Sequence, residues 1–218
     1  MKEKFMNGLL TLAVVLMMQL LWWFGIHGPN VMSAVTTPFM TKMMATNLEL
    51  YQAGEGVTAS GVFYTAGSKY SIIANPFASG WFSSTGSGIT MGLIVAIMLF
   101  SKRDDFKAIA KLAIPCGIFN INEPIIFGIP MVMNPMFAVP FFLAPVACVC
   151  CGYLVQSLGL CPLFVIDVPW TTPVGLFGFL ASSGNIMGAI WQAVIILGVS
   201  TLIYTPFVIA ANRQTEEA

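Results

Sequence analysis

Charged side chains are scarce in this chain: Asp, Glu, Lys and Arg make up 8% of its 218 residues, whereas 57% of the residues are hydrophobic. An ordinary soluble domain is about one quarter charged, so this composition excludes a typical soluble protein and predicts an integral membrane protein. The formal net charge is zero. The lysines and arginines form no long patch, so we expect no nucleic-acid partner.

Metal-binding and nucleophilic side chains are also few. The sequence has one histidine, His27, and five cysteines that lie in apolar surroundings with spacings unlike a zinc or redox motif. It has no serine, histidine and aspartate set suited to hydrolysis. We therefore expect no metal and no cofactor, and we expect the cysteines to be buried, unreactive thiols.

Long uncharged runs, by contrast, are abundant, and four of them are long enough to cross the hydrocarbon core as helices. They cover residues 5–26, 81–100, 136–158 and 185–211. The first run lacks a convincing cleavage site, which favours a retained transmembrane helix over a secretory signal. Residues 30–70 are more polar, and we expect them to form interfacial helices and a turn rather than one span.

Two apolar segments, residues 112–133 and 159–184, contain too much proline and glycine to be simple spans. They predict irregular backbone at membrane depth, which is tolerated only where protein or water pairs its polar groups. Such broken segments often hold a transporter's substrate. The predicted fold is therefore an all-α integral membrane protein with transmembrane helices and re-entrant hairpins. Proline kinks that only shape a helix bundle are the alternative.

The one dense charge cluster, residues 101–111, predicts the orientation of the chain. Positive residues favour the cytoplasmic side, so this cluster, Lys2, Lys4 and Arg213 are expected inside the cell. A docking surface for a soluble partner is a second interpretation of the same charges.

Only two charged side chains, Glu123 and Asp167, occur between Lys111 and Arg213. An ionisable group at membrane depth costs about 2.5–3.5 kcal/mol, so such residues usually face a cavity and act there. Glu123 ends an Asn-Ile-Asn-Glu motif whose amides and carboxylate suit sugar hydroxyls. A protonated glutamate that joins two hairpins is the alternative, and Asp167 equally fits a helix cap.

Two further residues fit a sugar site. His27 follows the first span at a Gly-Pro helix break, where its imidazole lies among unpaired backbone groups. Trp170 lies between prolines and threonines in the second broken segment, and an indole face stacks on the C–H face of a pyranose. A structural hydrogen bond for His27 and an interfacial anchor for Trp170 are the alternatives.

Four motifs occur in an order that resembles a known family. They are residues 21–30 (LWWFGIHGPN), 86–93 (GSGITMGL), 119–128 (FNINEPIIFG) and 168–173 (VPWTTP). Together they resemble the membrane-spanning IIC component of the phosphoenolpyruvate-dependent sugar phosphotransferase system, in its lactose, cellobiose and diacetylchitobiose branch.

This resemblance implies a fold and a mechanism. Family members are homodimeric, elevator-type transporters of the bacterial inner membrane, with an N-terminal half for dimer contacts and a C-terminal half that binds sugar. A phosphorylated IIB protein transfers phosphate at the cytoplasmic face to the 6-hydroxyl of a β-linked disaccharide. By resemblance, the substrate-binding residues are His27, Asn122, Glu123 and Trp170. Glu123 is the catalytic candidate, which orients or deprotonates the accepting hydroxyl.

Two departures accompany the resemblance. Members are roughly twice this long, and residues 1–218 resemble their C-terminal transport and substrate-binding portion, which predicts a missing N-terminal half. Asp167 stands where an uncharged residue such as asparagine is expected. Two alternative functions stay open: an ion-coupled secondary sugar transporter in which Glu123 and Asp167 carry protons, and a non-transporting subunit of a split or truncated permease.

Overall fold

The computed structural model describes residues 2–58, 61–64 and 68–216, with side chains for residues 8–213 of these ranges. This part of the chain is predominantly helical. Its helices are α1 Lys2–Trp23, α2 Gly28–Gln52, α3 Asn75–Trp81, α4 Met91–Phe100, α5 Asp104–Ile118, α6 Glu123–Gly128, α7 Pro135–Ser157, α8 Leu176–Ala181, α9 Ile186–Ala193 and α10 Ser200–Glu216. A short antiparallel pair, β1 Val57–Thr58 and β2 Gly61–Val62, follows α2.

Two helices in the described residues are long and apolar enough to cross a membrane by length and composition. One is α7, and the other is the continuous helix Ile186–Arg213, in which a π-helical stretch, Val194–Val199, joins α9 to α10. They confirm helices at the predicted spans over residues 136–158 and 185–211.

Other sequence predictions of the fold were wrong. Residues 81–100 are not one helix, because α3 and α4 are separated by an irregular loop over residues 82–90. Residues 30–70 were expected to form more than one interfacial helix, but before the strands they belong to the single helix α2, which runs unbroken for 25 residues with Pro38 inside it. As expected, α2 is not among the described helices that are long and apolar enough to cross a membrane. The side chains of Lys2 and Lys4, predicted to be cytoplasmic, lie outside the described residues.

Local sequence explains where several helices begin. Asn134 and Asn185 cap α7 and α9, and their side chains accept hydrogen bonds from the N–H groups two residues later, at 3.0 and 2.8 Å. Helix α5 carries Asp104 and Asp105 in its first turn, where a carboxylate interacts favourably with the helix dipole. Hydrogen bonds from Arg103, at 3.1 and 2.5 Å, lower the pKa of the Asp105 carboxyl.

The apolar core has two parts. In one part the Trp81 ring stacks on Phe164, with the ring centroids 5.2 Å apart and the planes 5° from parallel. The other part joins Trp22 to residues of α4, α5, α6, α7 and α10. Helix α3 belongs to the first part and α4 to the second, so the loop of residues 82–90 connects the two cores.

The cysteines are all free, and two of the five are buried as predicted, Cys148 and Cys161. The prediction was wrong for Cys150, whose side chain is exposed. Cys150 lies on α7, which is long and apolar enough to cross a membrane.

Candidate functional site

The Asn-Ile-Asn-Glu motif lies where α5 turns into α6. Helix α5 continues through Pro115, so the predicted break in residues 112–133 comes only at residues 119–122. Asn120 takes a left-handed backbone conformation there, with φ of 67°, which asparagine tolerates better than most residues. Glu123 is the first residue of α6. We call residues 119–123 the hairpin tip.

The irregular loop of residues 82–90 lies against the hairpin tip. The Thr85 N–H donates to Asn120 Oδ1 at 2.6 Å, and Asn122 Nδ2 donates to the Ser87 carbonyl at 2.6 Å. A Cβ added at Gly86 would lie 2.3 Å from Asn122 Cγ, so this position requires glycine. The small residues of this loop therefore allow close packing against the hairpin tip.

Trp170 lies in a tight turn that also contacts the hairpin tip. The Thr172 N–H donates to the Pro169 carbonyl at 2.9 Å, which closes the turn. Asn120 Nδ2 donates to the carbonyl of Trp170 and, at 2.9 Å, to the carbonyl of Thr172. Trp170 is 61% exposed. Two of the predicted site regions are thus brought together, and the aromatic face is left open.

Glu123 and Asn122 each carry polar side-chain atoms that have no hydrogen-bond partner among the described residues. Glu123 is half-buried, and its carboxylate has no hydrogen bond or ion pair with any described residue. Asn122 is buried and uses its Nδ2, while its Oδ1 has no partner within the described chain. Such groups are available to a ligand that offers hydroxyl donors.

His27 caps α2 and is joined to α6 through aromatic rings. Its Nδ1 accepts a hydrogen bond from the Asn30 N–H at 3.2 Å, which requires a lone pair on Nδ1 and leaves the proton of a neutral ring on Nε2. The Trp22 ring lies 4.8 Å from His27 and 6.3 Å from Phe127 of α6. Trp22 is buried in these contacts.

One interpretation of Asp167 predicted that it caps the next helix, and this interpretation was wrong. The N-cap residue of helix α8 is Gly175, which has no side chain that could cap the helix. The Asp167 carboxylate instead accepts hydrogen bonds from Asn75 Nδ2, at 3.1 and 3.2 Å. Asp167 therefore ties the segment before Trp170 to α3.

Gln192 is a central polar residue that sequence reasoning missed. It is fully buried in α9, and its Oε1 accepts from the N–H groups of Gly175 and Gly178 at 2.9 and 2.8 Å. Its Nε2 donates to the Gly80 carbonyl at 3.1 Å and to Ser84 Oγ at 3.2 Å. A glutamine alone in an apolar run was the available signal, because a polar residue in a membrane helix often bonds across helices.

Comparison with known proteins identifies the family. The family model of the phosphotransferase system EIIC component matches residues 4–145. The cellobiose-specific EIIC component of Lactococcus lactis subsp. lactis is 37% identical over 220 residues, which cover 94% of this chain and 43% of that protein. The lactose-specific EIICB component of Staphylococcus aureus is 33% identical over 189 residues, covering 86% of this chain and 31% of that protein.

A solved structure agrees with these matches. The crystal structure of the transporter ChbC, the IIC component from the N,N'-diacetylchitobiose-specific phosphotransferase system, superposes with a TM-score of 0.82 at 34% identity. The superposition covers 94% of this chain and 44% of that one, so the chain spans less than half the length of the relatives it matches. The family match covers more than half of the chain, and the chain therefore belongs to the EIIC family of the phosphotransferase system.

Proposed function

We propose that this chain is the sugar-binding transport portion of an EIIC permease that carries a β-linked disaccharide across the bacterial inner membrane. Residues 1–218 form the C-terminal portion, and an N-terminal half makes the contacts of a homodimer. The chain spans 43% of the length of a cellobiose-specific relative, which supports a portion of a permease of this family. The low charge content and the two helices suited to a bilayer support a membrane location, and a multi-pass topology is part of the proposal.

The unpartnered carboxylate of Glu123 carries this proposal. A carboxylate in an apolar protein is costly unless it has a partner, and the described residues give it none. A sugar hydroxyl is the donor that it lacks. The Asn122 Oδ1 and the His27 Nε2–H add an acceptor and a donor, and the exposed Trp170 indole adds an apolar face. This mixture suits the hydroxyls and the C–H face of a pyranose.

The names of the relatives support a disaccharide of the cellobiose, lactose or diacetylchitobiose type. One relative combines IIC and IIB in a single protein, which supports a IIB partner for this chain. Phosphorylated IIB docks at the cytoplasmic face and provides the phosphoryl group, so this chain needs no cofactor for the transfer.

Glu123 is the catalytic residue of this proposal. It orients the sugar 6-hydroxyl and accepts its proton as the oxygen attacks phosphorus in line. The phosphorus–sulfur bond of the IIB phosphocysteine breaks, and the thiolate leaves. The transfer thus needs no phosphorylated residue in this chain.

The polar turns contribute to the proposed transport mechanism. The loop of residues 82–90 and the turn around Trp170 are irregular, yet Asn120 pairs backbone groups of both inside the protein. Irregular backbone paired in this way is compatible with membrane depth, which supports two re-entrant segments. An elevator motion then carries these segments and the bound sugar together.

Uptake and phosphorylation of labelled cellobiose test this proposal. Membranes that contain this chain, its N-terminal half, IIB and the soluble phosphate donors are expected to accumulate cellobiose phosphate. Normal phosphorylation without IIB would refute the assigned donor. Uptake of unphosphorylated sugar that a protonophore abolishes would refute the phosphotransferase reaction and favour ion coupling instead.

A further inference from the structure

Asn120 occupies a buried position at which three separate segments of the chain meet. Its side chain is 5% exposed, and its backbone φ of 67° turns the chain out of α5. The Ile121 N–H returns to the Cys116 carbonyl at 3.0 Å and so closes the end of that helix. The amide of Asn120 therefore projects from a fixed, helix-terminating turn.

This amide uses both of its donors and one acceptor position on backbone groups. Oδ1 accepts from the Thr85 N–H at 2.6 Å, and Nδ2 donates to the carbonyls of Trp170 and Thr172. Both N–H bonds of the amide are thereby committed, which leaves no donor for a sugar. Asn120 thus differs from Asn122, whose Oδ1 has no partner among the described residues.

The turn that bears Trp170 is attached to the protein on both sides. Before the turn, Asp167 accepts from Asn75, but this contact is exposed, because Asp167 is exposed and Asn75 is only half-buried. Within the turn, the two carbonyls bonded by Asn120 are attached to a buried amide. A buried hydrogen bond has less competition from solvent than an exposed one. Asn120 is therefore the stronger of the two attachments.

We propose that Asn120 is the positioning residue of the sugar site: it holds the Trp170 turn against the hairpin tip, so that the indole faces the same ligand as Glu123. This inference rests on the proposed function, because it gives Trp170 a sugar to stack on. Asn120 acts through the turn and does not touch the sugar. Substitution of Asn120 keeps the Trp170 indole in the protein but no longer fixes its orientation.

Two variants separate the side chain of Asn120 from its backbone conformation. Asn120→Asp keeps the shape and the acceptor for Thr85, but it places an oxygen opposite two carbonyls. Asn120→Gly permits the positive φ and removes the whole side chain. Asn122→Asp is the matched control, because it changes an equivalent amide that is bonded to Ser87 instead of the Trp170 turn.

Hydrogen exchange in the detergent-solubilised chain tests the attachment without any sugar. The amides of residues 170–172 are expected to exchange about fivefold to tenfold faster in both Asn120 variants, since each loses the bonds to the turn. The amides of α7 and α10 serve as the internal reference for folding. Unchanged exchange at residues 170–172 in both variants, or equal acceleration in Asn122→Asp, would overturn the proposal.

A double-mutant cycle with Trp170→Ala tests the consequence for the site, with cellobiose as the probe. Asn120→Gly is expected to weaken cellobiose binding about fivefold in the carrier with its N-terminal half, and to weaken it no further when Trp170 is alanine. An equal loss in both backgrounds would show a general structural effect and overturn the proposal. If Trp170→Ala alone leaves binding unchanged, the proposed role of Trp170 in sugar binding fails, while the exchange result still decides whether Asn120 holds the turn.

Discussion

Gln192 and Glu123 both interrupt long apolar stretches, yet their surroundings differ completely. Gln192 is fully buried, and its side chain makes four hydrogen bonds that join α9 to α3, to Ser84 in the loop of residues 82–90, and to the residues that begin α8. Glu123 is half-buried at the start of α6 and makes none with the described residues. A polar residue in an apolar protein therefore either stabilises the fold or is available to a ligand, and its set of partners distinguishes the two.

The same distinction applies to the neighbouring asparagines. Asn120 commits both of its N–H donors to the backbone, whereas Asn122 retains an acceptor without a described partner. Residues only two positions apart in one motif thus have different tasks. Asn120 belongs with Gln192 among the residues that hold segments together, and Asn122 belongs with Glu123.

Substitution of Gln192 is expected to have the largest effect on stability. In Gln192→Leu the N–H groups of Gly175 and Gly178 lose their acceptor, and each buried unpaired group costs about 1–3 kcal/mol. We expect the free energy of unfolding in detergent to fall by roughly 3 kcal/mol or more. Gln156→Leu is the control, because Gln156 is equally buried but makes one hydrogen bond, to Pro162. Equal losses for the two glutamines would contradict the proposed importance of Gln192.

Substitution of Glu123 is expected to have the opposite profile. Glu123→Gln keeps the shape but removes the charge, and a hydrogen bond to a charged group is worth about 1.5–3 kcal/mol. Cellobiose affinity should therefore fall about 10- to 100-fold, and phosphorylation should fall with it, while the free energy of unfolding changes little. Titration calorimetry and thermal unfolding of the same preparation measure both effects. A variant that unfolds more easily but binds cellobiose normally would make Glu123 a structural residue.

The sequence predicted the parts of the fold that depend on local composition. The uncharged runs of residues 136–158 and 185–211 predicted the helices α7 and Ile186–Arg213, because length and hydropathy suffice for such segments. The break in residues 112–133 was also predictable, although Pro115 is accommodated inside α5 and the helix ends three residues later, at Ile118. The amides of the motif, rather than the first proline, indicate where the chain turns.

The loop of residues 82–90 could not be predicted in this way. The loop carries no charge, so the predicted span over residues 81–100 included it, although its serines, threonines and glycines form helices less readily than the residues of α4. Its backbone is instead bonded by distant side chains: Asn120 to Thr85, and Tyr204 to the Gly88 carbonyl at 2.7 Å. These partners lie 35 and 116 residues away in the sequence. Composition within a window of residues contains no information about such contacts.

The contrast between Trp170 and buried Trp81 gives the next prediction. Trp170→Ala removes a stacking face and should weaken cellobiose binding about threefold to tenfold. Trp170 is 61% exposed, so the free energy of unfolding should change by no more than about 0.5 kcal/mol. Trp170→Phe, which retains an aromatic face, should restore most of the affinity. If phenylalanine binds no better than alanine, stacking is not the role of this side chain.

His27 has both a structural and a proposed ligand-binding role, and its substitution tests whether the two roles can be separated. His27→Ala removes the acceptor for the Asn30 N–H, and loss of an N-cap typically costs about 1 kcal/mol. Asparagine is a good N-cap residue but lacks the Nε2–H of histidine. We therefore expect His27→Asn to restore the free energy of unfolding without restoring cellobiose affinity, which calorimetry and thermal unfolding together measure. Recovery of both in His27→Asn would mean that His27 serves the sugar site only through the start of α2, and it would then belong with Gln192 and Asn120 rather than with Glu123.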